Sequence, residues 1–179
     1  MEAYQDEHPG NSNSLDAQTG FVNLVNFLQD QPEWDSTAVI LAYDDSDGWY
    51  DHAFAATTQG SFSAQDALTA PGQCGVPGVT PVPNGVKGLP VAGRCGPGTR
   101  LPFLVISPYA KSNYVSHVFI TQASIPQFIE DNWLGSERLG GGSFDATTGS
   151  IMDMFDFSQA STRKLILDPT FGTVDSKTN

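Results

Sequence analysis

The chain is predicted to have an α/β fold because amphipathic segments alternate with short apolar ones. Residues 15–30 carry apolar side chains at helical spacing, whereas residues 37–43 and 101–107 are short, uniformly apolar runs. Runs of this kind are typical of strands buried on both faces of a sheet. The first run leads directly into two adjacent acids, an arrangement that builds ligand sites at the carboxyl ends of strands in open α/β sheets.

The first helix is predicted over residues 15–30. Its apolar face follows the i, i+3, i+4, i+7 pattern and comprises Phe21, Leu24, Val25 and Leu28. Asp16 lies near the positive end of the helix dipole, and Pro32 ends the helix from beyond.

A second helix is predicted over residues 124–133, beginning near Pro126 because proline is tolerated only in a first turn. A weaker helix is predicted over 147–155. The run 164–168 is expected to be extended.

The composition favours one folded domain spanning residues 1–179. Of these residues 39% are hydrophobic, and the net charge is −12. That charge opposes nucleic acid and anionic membranes as partners. No apolar run reaches the roughly 20 residues that span a bilayer. The N-terminus is acidic and polar, so it is not read as a secretory signal.

Residues 53–100 form a long segment rich in glycine and proline that lacks periodicity. A segment of this length in a compact domain is normally a lid or an insertion. Cys74 and Cys95 lie within it. They are either two unrelated thiols or a disulfide that orders the segment, and we favour the disulfide, which implies an oxidising compartment.

Asp44 and Asp45 follow the apolar run 37–43. Two neighbouring carboxylates repel each other, so a fold that holds both in a cleft usually places a cation or a shared proton there. A turn rich in Ser, Asp and Gly is the alternative interpretation, since these residues favour turns for backbone reasons.

Four ordered blocks favour the metal interpretation over the turn. They are residues 4–12, 43–52, 100–111, and a pair at 115–117 and 128–133. In order and spacing, over about residues 1–135, the chain resembles the bacterial phosphoesterase family. That family contains acid phosphatases and phospholipase C enzymes and is related to alkaline phosphatase.

The resemblance implies the C-terminal portion of an alkaline-phosphatase-like three-layer sandwich with a mostly parallel central sheet. It implies that Asp44 and Asp45 bind a divalent metal ion, with Ca, Mg, Mn and Zn all open. It also places His8 in the phosphate pocket, where an imidazole can contact a phosphoryl oxygen or protonate a leaving group.

His52 and His117 also lie in matching blocks, so the resemblance places them near the cleft as lining residues. The alternative is that each is a structural hydrogen-bonding group.

The function expected from the resemblance is metal-assisted hydrolysis of a phosphate ester, with only part of the active site present. The remainder would come from an N-terminal half or a partner chain, and the full-length form is expected to be periplasmic or secreted. The rival interpretation is a catalytically silent fragment that is structural, binds a cation, or is a subunit requiring a partner.

Overall fold

A computed structural model describes residues 3–8, 10–46, 51–55, 74, 96–141, 143–176 and 178. Within these residues there are two α-helices, α1 (Ser14–Gln29) and α2 (Ser124–Trp133), and two strands, β1 (Val39–Ala42) and β2 (Phe103–Ile106). Short 3₁₀ turns occur at Ala3–Gln5, Pro32–Ser36, Phe144–Ala146 and Met152–Met154. The α/β class predicted from the sequence is confirmed.

The chain divides into two compact units. The first unit comprises Met1–Asp47, Pro102–Tyr114 and Met154–Asn179, and the second comprises Gly48–Leu101 and Val115–Asp153. The expectation of a single domain is not tested by this division and stays a prediction.

Helix α1 begins at an asparagine cap. The side-chain oxygen of Asn13 accepts hydrogen bonds from the main-chain nitrogens of Leu15 and Asp16, each at 3.0 Å. Such a cap satisfies donors that have no partner within the helix. Asp16 follows in the first turn, as the sequence predicts.

The buried face of α1 differs from the predicted one. The buried residues are Ala17, Val22, Val25 and Gln29. Leu24, predicted to face the core, is 45% exposed. The polar Gln29 is only 3% exposed because the C-terminal part of the chain covers it.

That covering segment, residues 164–169, is called the C-terminal strap below. The Gln29 side-chain amide donates to the Leu165 carbonyl and accepts from the Leu165 nitrogen, both at 3.0 Å. Asn26 makes the same pair of bonds with Leu167, at 2.7 and 3.2 Å. The Thr19 hydroxyl donates to the Pro169 carbonyl at 2.9 Å. The extended segment expected near residues 164–168 is therefore held along α1 by side-chain to main-chain bonds.

The two strands pair antiparallel, with Val39 opposite Ile106 and Ala42 opposite Phe103. The parallel arrangement expected from the resemblance is wrong for this pair. A parallel pair needs a crossover connection, usually a helix. Among the described residues between the strands (43–46, 51–55, 74 and 96–102) there is no helix.

The strands are also less buried than the apolar runs predicted. The four β1 side chains are of intermediate exposure, and Leu104 in β2 is 50% exposed.

The second unit has its core around α2, which matches the predicted range 124–133. Phe128 is 7% exposed and Ile151 is fully buried. The Thr148 hydroxyl lies 2.7 Å from the Ser124 hydroxyl and 2.9 Å from the Thr121 hydroxyl. The helix predicted over 147–155 is wrong, because only the turn Met152–Met154 forms there.

Most of the predicted insertion at 53–100, including residues 56–73 and 75–95, lies outside the described residues. Cys74 is described and is 3% exposed. Cys95 lies outside the described residues, so the bond between the two cysteines stays a prediction. In the described part of the chain, no helix is both long enough and apolar enough to cross a membrane.

Candidate active site

The adjacent acids lie just beyond the carboxyl end of β1. The strand ends at Ala42, Tyr43 follows, and Asp44 and Asp45 come next with exposed side chains. The last strand pair joins Ala42 to Phe103, so the position of this end is set by the sheet. Both carboxylates are therefore presented to solvent from the end of a strand.

His8 lies in a tight turn near the start of the same unit. Its carbonyl accepts the main-chain N–H groups of Asn11 and Ser12, at 3.0 and 3.2 Å. The Asp6 carboxylate accepts the His8 main-chain N–H at 2.9 Å and the Ser12 hydroxyl at 3.0 Å. The bond from the His8 nitrogen is the main cause that lowers the pKa of Asp6. The turn fixes the backbone of His8 and leaves this residue exposed.

A side-chain contact joins the His8 turn to the end of β1. The Tyr43 hydroxyl donates a hydrogen bond to the Glu7 carboxylate. This bond, together with partial burial, raises the pKa of Tyr43 to about 12. Glu7 directly precedes His8, and Tyr43 directly precedes Asp44. The structure thus brings the first two matching blocks together through the residues next to the candidate catalytic groups.

The sequence does not indicate that Glu7 and Tyr43 form a pair, although both lie within the blocks at residues 4–12 and 43–52. Nothing in the spacing of residues 7 and 43 indicates a bond between them. The available signal is that each is the neighbour of a candidate site residue.

The acid pair has side-chain chemistry that suits a divalent metal ion. Carboxylate oxygens are the ligands that calcium, magnesium and manganese prefer, and they also bind zinc. Within the part of the chain that the structure describes, no group of three or more His, Cys, Asp or Glu residues could hold a metal ion. Asp44 and Asp45 have the carboxylate chemistry that fits a divalent cation, and a metal-binding role for them stays a prediction.

His52 and His117 belong to the second unit, and both are exposed. His52 follows Asp51, whose carboxylate forms a bidentate ion pair with the Arg100 guanidinium at 2.8 and 2.9 Å. The Arg100 side-chain bonds are the largest cause that lowers the pKa of Asp51. His117 follows Ser116, whose hydroxyl donates to Asp153 at 2.7 Å. A cleft-lining role for either histidine stays a prediction.

A cavity of about 550 Å³ lies in the first unit beyond the other end of the two-stranded sheet. It is lined by residues 108–114, which follow β2, and by Asp156 and residues 159–161. Because the strands are antiparallel, the carboxyl end of β2 lies beside the start of β1. This cavity is consequently separate from the end that carries Asp44 and Asp45.

Residues 1–134, about three quarters of the chain, match the sequence model of the Phosphoesterase family. The chain belongs to the phosphoesterase family. The resemblance read from the four blocks is thereby confirmed, over nearly the same range.

The relatives that this chain resembles are named as phospholipase C enzymes, and each is matched over part of its length. Hemolytic phospholipase C of Pseudomonas aeruginosa is 31% identical over 153 residues, covering 82% of this chain and 19% of the relative. Phospholipase C B of Mycobacterium tuberculosis is 30% identical over 163 residues, covering 85% and 27%. Phospholipase C A of the same species is 34% identical over 111 residues, covering 60% and 19%. The chain thus spans about a fifth to a quarter of the length of these curated relatives.

Proposed function

We propose that this chain is part of a phosphoric ester hydrolase of the phospholipase C or acid phosphatase type. The observation that carries the proposal is the Asp44–Asp45 pair at the end of β1, joined to the His8 turn by the Glu7–Tyr43 bond. The family match and the phospholipase C relatives support the reaction class.

In this proposal Asp44 and Asp45 hold a divalent cation, which is calcium, magnesium, manganese or zinc. When bound, such a cation neutralises negative charge on the oxygens of the phosphoryl group. That neutralisation matters here because the chain has a net charge of −12 and the substrate is itself an anion.

The role of His8 is to act on the phosphoryl group from beside the acid pair. A charged imidazole donates a hydrogen bond to a phosphoryl oxygen, and it can pass its proton to the leaving alcohol oxygen. The turn at Asp6 holds the His8 backbone while leaving the residue exposed to a substrate.

The proposal includes a partial site that is completed by further polypeptide. The support is that the described residues contain no cluster of three metal ligands, while the chain spans a fifth to a quarter of its relatives. The complete protein would carry the alkaline-phosphatase-like sandwich. Periplasmic or secreted location agrees with the predicted Cys74–Cys95 disulfide.

The test measures hydrolysis of p-nitrophenyl phosphate and p-nitrophenylphosphorylcholine with each of the four cations. Two proteins are compared: the chain alone, and the longest contiguous polypeptide that contains it. We expect turnover in the longer protein, little in the chain alone, and a loss of about 10²-fold or more in the Asp44→Asn, Asp45→Asn double variant.

A matched control is Asp35→Asn, which removes an exposed acid of the same unit before β1. Absence of turnover in both proteins would overturn the hydrolase proposal. Full turnover in the double variant would instead overturn the assignment of the acid pair. Robust turnover by the chain alone would show that its active site is complete.

A further inference from the structure

The bond between Glu7 and Tyr43 connects two segments that are far apart in the sequence. Each partner is one residue away from a candidate catalytic group, and consecutive Cα atoms lie about 3.8 Å apart. The bond therefore limits how far the backbones of His8 and Asp44 can separate.

The Tyr43 side of the bond is anchored by the sheet. Tyr43 follows Ala42, the last β1 residue to pair with β2. Its side chain is partly buried, and its hydroxyl donates to an anionic acceptor. Hydrogen bonds to charged acceptors are stronger than those between neutral groups. The tyrosine is thus a well-placed point of attachment for the His8 turn.

The Glu7 side of the bond has an unusual backbone. Its φ angle is +61°, in the left-handed region that residues other than glycine rarely adopt. The next peptide N–H, that of His8, is held by the Asp6 carboxylate at 2.9 Å. A left-handed residue persists where surrounding contacts hold it, and such residues concentrate at functional sites. The contacts on either side of Glu7 therefore set the position of His8.

We infer that Glu7 and Tyr43 are a positioning pair that holds His8 beside the Asp44–Asp45 acid pair. The inference rests on the proposed function, because it assigns the pair a purpose in the same site. Neither residue acts on the substrate. The pair works through the geometry of its neighbours, so its loss changes where His8 lies and leaves both acids in place.

The experiment follows the three histidine imidazoles of the full chain by NMR while Mn²⁺ is added. Paramagnetic broadening falls with the sixth power of distance, so it reports how near each imidazole lies to the bound ion. In the wild type, Mn²⁺ at Asp44 and Asp45 is expected to broaden the His8 signal strongly. The Asp44→Asn, Asp45→Asn variant should abolish this broadening.

Four single variants test the positioning role. Tyr43→Phe and Glu7→Ala remove the bond and are expected to lose most of the His8 broadening, while Mn²⁺ still binds in Tyr43→Phe. Glu7→Gln keeps a side-chain carbonyl that can accept the hydroxyl, so it should retain the effect. Tyr4→Phe is the matched control, since it removes a hydroxyl from a 53% exposed tyrosine of the same N-terminal segment.

The outcomes separate this inference from the proposed function. Equal His8 broadening in the wild type, Tyr43→Phe and Glu7→Ala would overturn the positioning role and leave the metal site standing. If the His8 broadening is also lost in Glu7→Gln and Tyr4→Phe, the positioning role is overturned too, because the broadening would then not depend on the Glu7–Tyr43 bond. If Mn²⁺ broadens the His8 signal equally in the wild type and in the Asp44→Asn, Asp45→Asn variant, or in neither, then the metal site at the acid pair is overturned. The positioning role is overturned with it.

Discussion

Replacing Asn26 with alanine should detach one point of the C-terminal strap. The Asn26 side chain makes two hydrogen bonds to the main chain of Leu167, at 2.7 and 3.2 Å. An intramolecular hydrogen bond contributes about 0.5–1.5 kcal/mol net, so the two together contribute about 1–3 kcal/mol. Alanine also favours the helix over asparagine by about 0.6 kcal/mol, which offsets part of this loss.

The expected net decrease in the free energy of unfolding is therefore about 0.5–2.5 kcal/mol for Asn26→Ala. Urea unfolding followed by circular dichroism measures it. Asn23→Ala is the matched control, because Asn23 is an exposed residue of the same type in the same helix. Asn23→Ala gains the higher helix propensity of alanine without losing any bond to the strap, so this variant should be slightly more stable than the wild type.

The difference between the two variants isolates the contribution of the bonds, about 1–3 kcal/mol. Hydrogen exchange gives a second, local measure, since the Leu167 N–H donates to the Asn26 side chain and should exchange faster in Asn26→Ala. Equal stabilities for the two variants, or an unchanged exchange rate at Leu167, would refute the strap as a stabilising contact.

Two further predictions concern the second unit. The Arg100 side chain lowers the pKa of Asp51, so the pair stabilises the fold above about pH 4 and loses this contribution as the pH falls through the folded-state pKa of Asp51. Asp51→Asn and Arg100→Gln should each lower the melting temperature at neutral pH and weaken its dependence on acid pH. An unchanged acid profile in either variant would contradict the pairing. Alanine at Gly149 would place a Cβ 2.3 Å from the Phe119 carbonyl oxygen, so Gly149→Ala should destabilise the protein by about 1–3 kcal/mol. Gly98→Ala is the control and should not destabilise it, because a Cβ at Gly98 would meet no atom within 4 Å. Similar urea midpoints for the two variants would count against the close contact at Gly149.

Local patterns in the sequence predict the elements well. Helical spacing over 15–30 and 124–133 corresponds to α1 and α2 within about a residue, and the two apolar runs contain β1 and β2. These signals are local, because each depends on residues within one or two turns of each other.

Features that depend on distant residues were not predictable. An apolar run carries no information on strand direction, and the antiparallel pairing brings together residues 39 and 106. Leu24 faces outward while Gln29 is buried, because the strap binds the Gln29 amide rather than an apolar surface. Over 147–155 the Thr148 hydroxyl bonds to Ser124 and Thr121, and these contacts, with the low helix propensity of Gly149, outweigh the weak helical pattern.

The candidate site likewise has parts that the sequence predicts and parts that only the fold reveals. Asp44, Asp45 and His8 were identified from the blocks that resemble the family, and the structure places all three in one unit. The bond between Glu7 and Tyr43 joins positions 36 apart in the sequence, and only the folded chain reveals it.

The Asp51–Arg100 ion pair has a consequence for how this protein can evolve. Its two residues are 49 positions apart, and they join the ends of the stretch between them regardless of what that stretch contains. Each doubling of the length of a flexible connection adds only about 0.6 kcal/mol of closure entropy. Because this cost grows slowly with length, insertions and deletions between these two residues cost little in closure entropy.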